Sequence, residues 1–274
     1  MDFNRDINAY PEHRELKQQV DQLRGELISL ILERDALILV ECKDIETAYM
    51  LEVGQLEYEA YKLQSEVLRA QRKIEIIEDY KEKEKPIDLK SIERYLNREF
   101  DMYEEQLEAQ ENTIEEALER HERAPVSEEK SHRLNEIYLM ILEELHPDVN
   151  PEISASELAF YSNARAAYEQ ADLDRLEIIY NMIDEVEVTE NRIEGMAVLV
   201  REAQRLSEFV EDIKLEIEKI KTEYPYNMKH FVQDNEAVMQ KKASLTATMN
   251  QFEDARIRYK AIIRDMLEKI EESK

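Results

Sequence analysis

The chain has 274 residues, of which 37% are charged, and it contains 3 Gly, 6 Pro and no Trp. So few helix breakers among so many charges predict long helices and argue against an ordinary α/β enzyme fold. The formal net charge of −27 opposes binding to nucleic acid or to anionic membranes, because phosphate contacts need clustered Lys and Arg.

Cysteine content and hydropathy indicate the compartment. The single cysteine, Cys42, excludes an intrachain disulfide and a CxxC zinc site. The N-terminal stretch MDFNRDINAYPEHR lacks the apolar segment of a signal peptide. The most apolar run, LISLILERDALILVEC, is interrupted by three charged residues and is too short to span a bilayer. We therefore expect a cytoplasmic protein with no membrane association.

Two apolar stripes with alternating steps of four and three residues dominate the N-terminal third. They indicate coiled-coil helices, with Arg34 as a charged interruption of the first stripe. Between them, ECKDIE (41–46) predicts a break, with Asp44 as a cap for the second helix. Gly54 lies within the second stripe and is predicted to be helical. The stripes are Leu16, Val20, Leu23, Leu27, Leu30 and Leu37, then Tyr49, Val53, Leu56, Ala60, Leu63, Val67, Ala70, Ile74 and Ile77.

Prolines predict where the following helices begin and end. Pro86 blocks continuation of the second helix, and Asp88 or Ser91 can cap a third that runs to about residue 122. Pro125 marks a linker, and Ser127 can cap the next helix. We therefore predict that residues 1–124 form a coiled-coil region of long helices.

The C-terminal region, 185–274, is predicted to be a helical hairpin. One helix should begin near Thr189 and end at Thr222, and a turn built on Pro225 should lead into the last helix. Two amphipathic helices joined by a short turn should pack antiparallel, because neither apolar stripe can remain in water. The predicted fold class is all-α throughout.

The middle segment, 125–184, contains the stretch LEELHPDVNPEIS. Helical stripes before and after it predict two antiparallel helices joined by a loop that carries His146, Pro147 and Asp148. Because the stripes stop on either side, and Asp is rarely fully buried unless paired, we expect these three residues to be exposed. The stripes are Leu134, Ile137, Ile141 and Leu145, then Leu158, Phe160, Ala164, Ala167 and Tyr168.

This segment resembles the J-domain of the DnaJ/Hsp40 co-chaperones, in which a His-Pro-Asp tripeptide joins the second and third helices. HPDVNPE matches the common form HPDxNP, and FYSNARAAYEQADLDRL is similar to the third helix and its continuation. Together with its long helical arms, the chain resembles uncharacterised Firmicute J-domain-like proteins. The resemblance implies that His146, Pro147 and Asp148 stimulate ATP hydrolysis by an Hsp70, and that Lys130 and Arg133 contribute to binding it.

The chain also departs from the J-domain pattern. The helix before the tripeptide carries several acidic residues, which weakens electrostatic steering toward an acidic Hsp70 surface. No Tyr-rich first helix lies directly upstream, so the end of the third long helix is the candidate to replace it. A Gly/Phe-rich linker and a cysteine-rich zinc region are both missing from the sequence. The acidic residues are Glu128, Glu129, Glu136, Glu143 and Glu144.

Two functions remain open at this stage. The first is a J-domain-type co-chaperone or adaptor that recruits and stimulates a DnaK-like Hsp70 while its helical arms bind a client or an assembly. The alternative is a non-enzymatic coiled-coil scaffold in which the J-like module is a spacer, and either protein could self-associate. The pattern offers no catalytic constellation and no cofactor motif, so we expect no enzyme. Scattered histidines indicate no metal site; they are His13, His121, His132 and His230.

Overall fold

The computed structural model describes residues 11–123, 125–184 and 195–272. Within these ranges the regular structure is helical and includes no strand, which confirms the predicted all-α class. The chain forms two compact units: the first from the described residues within 1–44 and 124–227, the second from those within 45–123 and 228–274. These units do not follow the consecutive division into 1–124, 125–184 and 185–274, because each combines helices that are distant in sequence.

The N-terminal helices follow one another without a break. The predicted interruption at 41–46 is wrong, since Cys42 and Ile45 are buried and the apolar face continues through them. A π-helical turn holds one extra residue, so the helix can continue while its apolar stripe changes register. Gly54 is helical as predicted, and lies in the second such turn. The elements are α1 Pro11–Ala36, a π turn Leu37–Glu41, α2 Cys42–Tyr49, a π turn Met50–Gly54 and α3 Gln55–Glu82.

Among the remaining helices, several begin or end near the predicted capping and turn residues, while the predicted helix start near Thr189 lies outside the described residues. Asp88 caps the fourth helix by accepting a hydrogen bond from the Lys90 amide at 3.0 Å. The helices are α4 Leu89–Glu122, α5 Glu128–Leu145, α6 Ala155–Glu169, α7 Leu173–Asp184, α8 Met196–Thr222, α9 Lys229–Gln233 and α10 Asn235–Glu272, with a 3₁₀ turn at Tyr226–Met228.

In the first unit, α1 and α8 lie side by side and run parallel. Lys214 Nζ is 2.9 Å from Glu26 Oε1, and Lys221 Nζ is 3.0 Å from Glu33 Oε1. From the first pair to the second, the residue number rises in both helices, so the two helices run parallel. The apolar stripe of α8 is buried, and its buried residues are Leu199, Ala203, Leu206, Val210, Ile213 and Ile217.

Helices α5, α6 and α7 complete the first unit and share its core with α1 and α8. Each of the three packs on the other two, and α5 also packs on α1. The buried residues that they contribute are Leu134, Ile137, Tyr138, Ile141, Leu142, Leu145, Ala164, Ala167, Tyr168, Leu176 and Ile179. This core holds the HPD loop, defined here as residues 146–153, at the junction of α5 and α6.

In the second unit, α10 runs parallel to α3. Lys241 Nζ is 2.7 Å from Glu57 Oε1, and Arg256 Nη1 is 2.9 Å from Glu66 Oε2, so the two helices advance together. A small core that includes Ile77 fills one end of this unit.

Helix α4 runs antiparallel to α3. The Tyr61 hydroxyl donates to Gln106 Oε1 at 2.7 Å, and Arg69 Nη2 donates to Glu93 Oε2 at 3.0 Å. As the α3 residue number rises in these pairs, the α4 residue number falls.

The predicted C-terminal hairpin is therefore wrong in its pairing. Helix α8 packs along α1, and α10 packs along α3, so the two helices belong to different units. The apolar stripe of each is covered by a helix from the N-terminal part of the chain. The stripe of α8 is buried, whereas that of α10 is mostly half-buried, so each helix has a cover for its apolar face, which is the requirement that motivated the hairpin. None of the described helices combines the length and apolar character that a membrane crossing requires.

Candidate functional site

Local capping signals define the ends of the two helices that hold the HPD loop. Ser127 Oγ accepts from the Lys130 amide at 3.2 Å and starts α5, as predicted. Helix α5 ends at His146, its C-cap. A capping box starts α6: Ser154 Oγ accepts from the Glu157 amide at 3.3 Å, and Glu157 Oε2 accepts from the Ser154 amide at 2.6 Å. The loop is thus set between two independently fixed helix ends.

Aromatic contacts show that α5 and α6 run antiparallel. Near the middle of α5, Tyr138 stacks on Tyr168 with ring centroids 4.3 Å apart. At the end of α5, the His146 ring meets Tyr161 edge-on at 5.1 Å. The Tyr168 hydroxyl also donates to Asn135 Oδ1 at 2.7 Å. The predicted pair of antiparallel helices around the tripeptide is present.

Hydrogen bonds within the loop fix its shape. The amides of Val149 and Asn150 donate to the His146 carbonyl at 3.0 and 2.8 Å. The Asp148 amide donates to His146 Nδ1 at 3.2 Å, and Asn150 Nδ2 donates to the Glu143 carbonyl at 2.6 Å. Val149 is fully buried in the core. Together these bonds hold the turn in its present shape, and the one at Nδ1 also fixes the His146 ring.

His146 itself is buried, with 3% of its surface exposed, so the expectation of an exposed histidine is wrong. Pro147 and Asp148 are half-exposed at the same turn. Burial lowers the pKa of His146, and the Arg34 and Arg165 cations act in the same direction, against the carboxylates of Asp148 and Asp35. The histidine is therefore held in its neutral form, facing inward.

A buried polar cluster links α5 to α1. Asp35 is fully buried, and its Oδ2 accepts from the Tyr138 hydroxyl at 2.7 Å. Arg34 donates to Asp35 Oδ1 through Nε at 3.0 Å and through Nη2 at 2.8 Å. Burial, together with the Asp35 charge, raises the pKa of Tyr138. The charged interruption predicted at Arg34 thus supplies the counterion of a buried carboxylate.

Helix α8 reaches the loop through Arg205. Its Nη1 donates to the backbone carbonyl of Asp148 at 2.7 Å. Its Nε and Nη2 donate to the two carboxylate oxygens of Glu202 at 2.9 and 2.7 Å, which fixes the guanidinium plane. The guanidinium also lies over the Phe209 ring, 5.3 Å from the ring centroid. Sequence reasoning did not anticipate this contact, since 57 residues separate Arg205 from Asp148.

The two predicted basic residues lie away from the loop. Lys130 and Arg133 are in the first half of α5, and 13 residues of helix at ~1.5 Å each place Arg133 about 20 Å from His146 along the axis. Arg133 lies 3.4 Å from Glu136 and 3.5 Å from Glu177. The structure therefore places these two residues on the helix that leads into the tripeptide but does not bring them into its loop.

Besides α6 and α7, the helix that packs on α5 is α1. The end of the third long helix, expected to replace the missing first helix of a J-domain, belongs to the second unit. That expectation is wrong because the apolar stripe of α4 faces α3. Only Arg34 signalled the involvement of α1, since a charge within an apolar stripe requires a partner.

Other groups of polar side chains offer less evidence of a functional site. Among the described residues, no group of three or more His, Cys, Asp or Glu side chains is placed to hold a metal ion. A cleft between α3 and α4 contains Arg72, but this guanidinium already pairs with Glu75 at 3.0 Å and with Glu99 at 3.2 Å. The HPD loop remains the candidate site.

The chain matches no protein-family model, no curated protein and no solved structure. The resemblance to J-domains therefore depends on the HPD loop and on the helices that flank it.

Proposed function

We propose that the chain is a J-domain-type co-chaperone or adaptor that engages an Hsp70 through the HPD loop, while its long helices bind a client or an assembly. The observation that carries this proposal is the placement of His146, Pro147 and Asp148 at the turn between two antiparallel helices. A third helix, α7, packs on both of them. A tripeptide at such a turn, with a third helix packed on its two flanking helices, supports the proposal.

The surface chemistry of the turn suits binding rather than catalysis. Asp148 keeps 40% of its side chain exposed, and Pro147 beside it is half-exposed. A carboxylate on a rigid turn can accept charge-assisted hydrogen bonds from Arg or Lys of a partner. An exposed carboxylate beside a fixed proline therefore supports recognition of a protein surface.

The test is the steady-state ATPase rate of a DnaK-type Hsp70 with a peptide substrate, measured over a range of chain concentrations. We expect wild type to raise the rate and Asp148→Asn to raise it far less. Asp148→Asn is a better probe than a change at His146, because the Asp148 side chain is at the surface. Asp174→Asn, an exposed carboxylate on α7, is the matched control and should behave as wild type. Equal rates with wild type and Asp148→Asn would contradict the proposal.

The burial of His146 favours a second candidate, a scaffold whose HPD loop serves only as a structural turn. In that case Asp148→Asn should have no effect on any partner, whereas polar substitutions in the buried faces of the long helices should abolish assembly. Val67, which is buried on α3, is the position to test by Val67→Glu. A phenotype that follows Val67→Glu but never Asp148→Asn would favour the scaffold.

A further inference from the structure

We propose that α8 is an autoinhibitory clamp on the HPD loop, and that Arg205 is the residue that holds the loop closed. This inference rests on the proposed Hsp70 function, and it adds a regulation to that site. Three observations support it: the hidden histidine, the pre-arranged arginine and the separate packing of α8.

The first observation is that the loop is closed. His146 is 3% exposed, and its ring lies against Tyr161. Val149, three residues further along, is fully buried. A partner that binds the histidine side chain cannot contact it until the turn opens. The hydrogen bonds from the amides of residues 148–150 to His146 must break or move in that opening.

The second observation is that Arg205 is arranged in advance to hold this closed turn. Glu202, one helical turn earlier, accepts two hydrogen bonds from the guanidinium, and Phe209 supports its face. The remaining nitrogen, Nη1, is directed at the Asp148 carbonyl at 2.7 Å. Arg24 from α1 also reaches Glu202 at 3.4 Å. The arginine therefore loses little conformational freedom when it binds the loop, so the contact is strong for a single hydrogen bond.

The third observation is that α8 lies outside the helix-loop-helix that carries the tripeptide. Its main packing partner is α1, through a parallel pairing that includes Lys214 with Glu26 and Lys221 with Glu33. Arg205 reaches the loop from that separate helix with one side chain. The clamp can therefore release the loop while α8 stays paired with α1. A contact of this kind can be opened and closed without unfolding the unit.

The experiment combines hydrogen exchange with the Hsp70 assay on the full chain. Arg205→Ala removes the clamp, and Arg205→Lys keeps the charge but loses the planar fork. Arg201→Ala is the matched control, because Arg201 is exposed one turn earlier on α8 and donates to the carbonyl of Ala197 on its own helix. Circular dichroism verifies that each variant retains its helix content. The first readout is exchange at the amides of residues 148–150, and the second is ATPase stimulation at a subsaturating concentration of the chain.

Loss of a charge-assisted hydrogen bond should increase the open population, and therefore the exchange rate at 148–150, roughly tenfold in Arg205→Ala. Arg205→Lys should show a smaller increase, and Arg201→Ala should match wild type. We also expect Arg205→Ala to stimulate the Hsp70 more strongly than wild type, and Arg205→Ala combined with Asp148→Asn to lose that gain.

Three results would overturn the clamp or its function, and they are distinguishable. Unchanged exchange in Arg205→Ala would overturn the clamp, whatever the Hsp70 does. A second result would be faster exchange in Arg205→Ala, with ATPase stimulation equal to that of wild type and with stimulation still lost in Asp148→Asn. It would show that the Arg205 contact restrains the loop without inhibiting it. Faster exchange with no stimulation by any variant would overturn the Hsp70 function itself, and the regulatory role with it.

Discussion

The Tyr138 hydroxyl donates a 2.7 Å hydrogen bond to Asp35 Oδ2 and so joins α5 to α1. Asp35 is fully buried, and its other oxygen is occupied by Arg34. A buried carboxylate is tolerated only when its oxygens are paired, because leaving one unpaired costs its full desolvation. The pair therefore fixes where α1 lies on the module that carries the HPD loop.

This relationship predicts an unequal response to two similar substitutions. Tyr138→Phe leaves Asp35 Oδ2 without its donor and should lower the free energy of unfolding by about 1–3 kcal/mol. Tyr168→Phe is the matched control: its partner Asn135 is exposed and can bind water instead, so the loss should be about 1 kcal/mol or less. Urea unfolding followed by circular dichroism measures both values. Equal losses would contradict a special role for the Tyr138 bond.

Burial of His146 predicts that stability depends on pH near neutrality. Because burial lowers the pKa of His146 below its unfolded value of about 6.5, the unfolded chain binds more protons than the folded chain in this range. The contribution of neutral His146 is therefore complete above about pH 6.5 and is lost as the pH falls below that value. His146→Gln should be less stable at neutral pH, and it should also lose less stability on acidification than wild type.

The measurement for His146 is the melting temperature between about pH 5.5 and 7.5, a range that spans the ordinary histidine pKa. His132→Gln is the control, because His132 lies on α5, the helix that His146 caps, with 77% of its side chain exposed. It should reproduce the wild-type pH dependence. A slope in His146→Gln as steep as that of wild type would show that another group is responsible.

The small core of the second unit predicts a large cost at one buried isoleucine. Ile77 is fully buried and shares a cluster with Ile92 and Leu96 of α4, against which Met266 of α10 packs. Ile77→Ala should therefore cost about 2–5 kcal/mol of unfolding free energy, from lost burial and from the cavity that it leaves. Ile257→Ala, on the exposed side of α10 with 58% of its surface accessible, should cost far less. Chemical denaturation distinguishes these outcomes, and similar losses would contradict the assigned core.

Ala171, which precedes α7, predicts a stabilising substitution. It has a φ of +51°, a left-handed conformation that costs a residue with a Cβ roughly 1–2 kcal/mol. Ala171→Gly removes that cost. Glycine also increases the conformational entropy of the unfolded chain, which offsets part of the gain, so we expect an increase of up to about 1 kcal/mol in unfolding free energy. Ala159→Gly, in the exposed part of α6, should instead lower it by about 1 kcal/mol. Thermal melts of both variants test the opposite signs.

The capping residues and the helical character of the chain were predictable from sequence, because they depend on neighbours a few positions apart. Ser127 and Asp88 cap helices where their spacing predicts. Helix partners were not predictable in the same way. An apolar stripe shows that a helix must be covered, but the stripes of α1, α3, α8 and α10 are chemically alike, so the pattern does not choose among them.

In the candidate site, too, the features set by neighbouring residues were predictable and those set by distant residues were not. The helix-loop-helix around His146 followed from the stripes and the prolines on either side. The burial of His146 did not, because it depends on Tyr161 across the loop and on a unit core to which distant helices contribute. The role of Arg205 was equally unpredictable, since an arginine three residues after a glutamate on a helix ordinarily forms a surface ion pair with it.

The parallel pairing of α10 with α3 predicts specific covalent products from zero-length carbodiimide coupling. Lys241 Nζ lies 2.7 Å from Glu57 Oε1, and Lys242 forms an ion pair with Glu52. Amide bonds should form at these two pairs, because such coupling joins only groups that are in contact. In the first unit, Lys214 should couple to Glu26 in the same way. Digestion and mass spectrometry identify the joined peptides.

A matched variant makes the coupling experiment decisive. Glu52→Gln removes one carboxylate and should abolish the link to Lys242 while leaving the link between Lys241 and Glu57 intact, because the helices themselves do not move. An antiparallel α8–α10 hairpin, the arrangement that the C-terminal sequence pattern favours, would instead give links between those two helices. Main products joining α8 to α10, with the α3–α10 links missing, would overturn the parallel pairing described here.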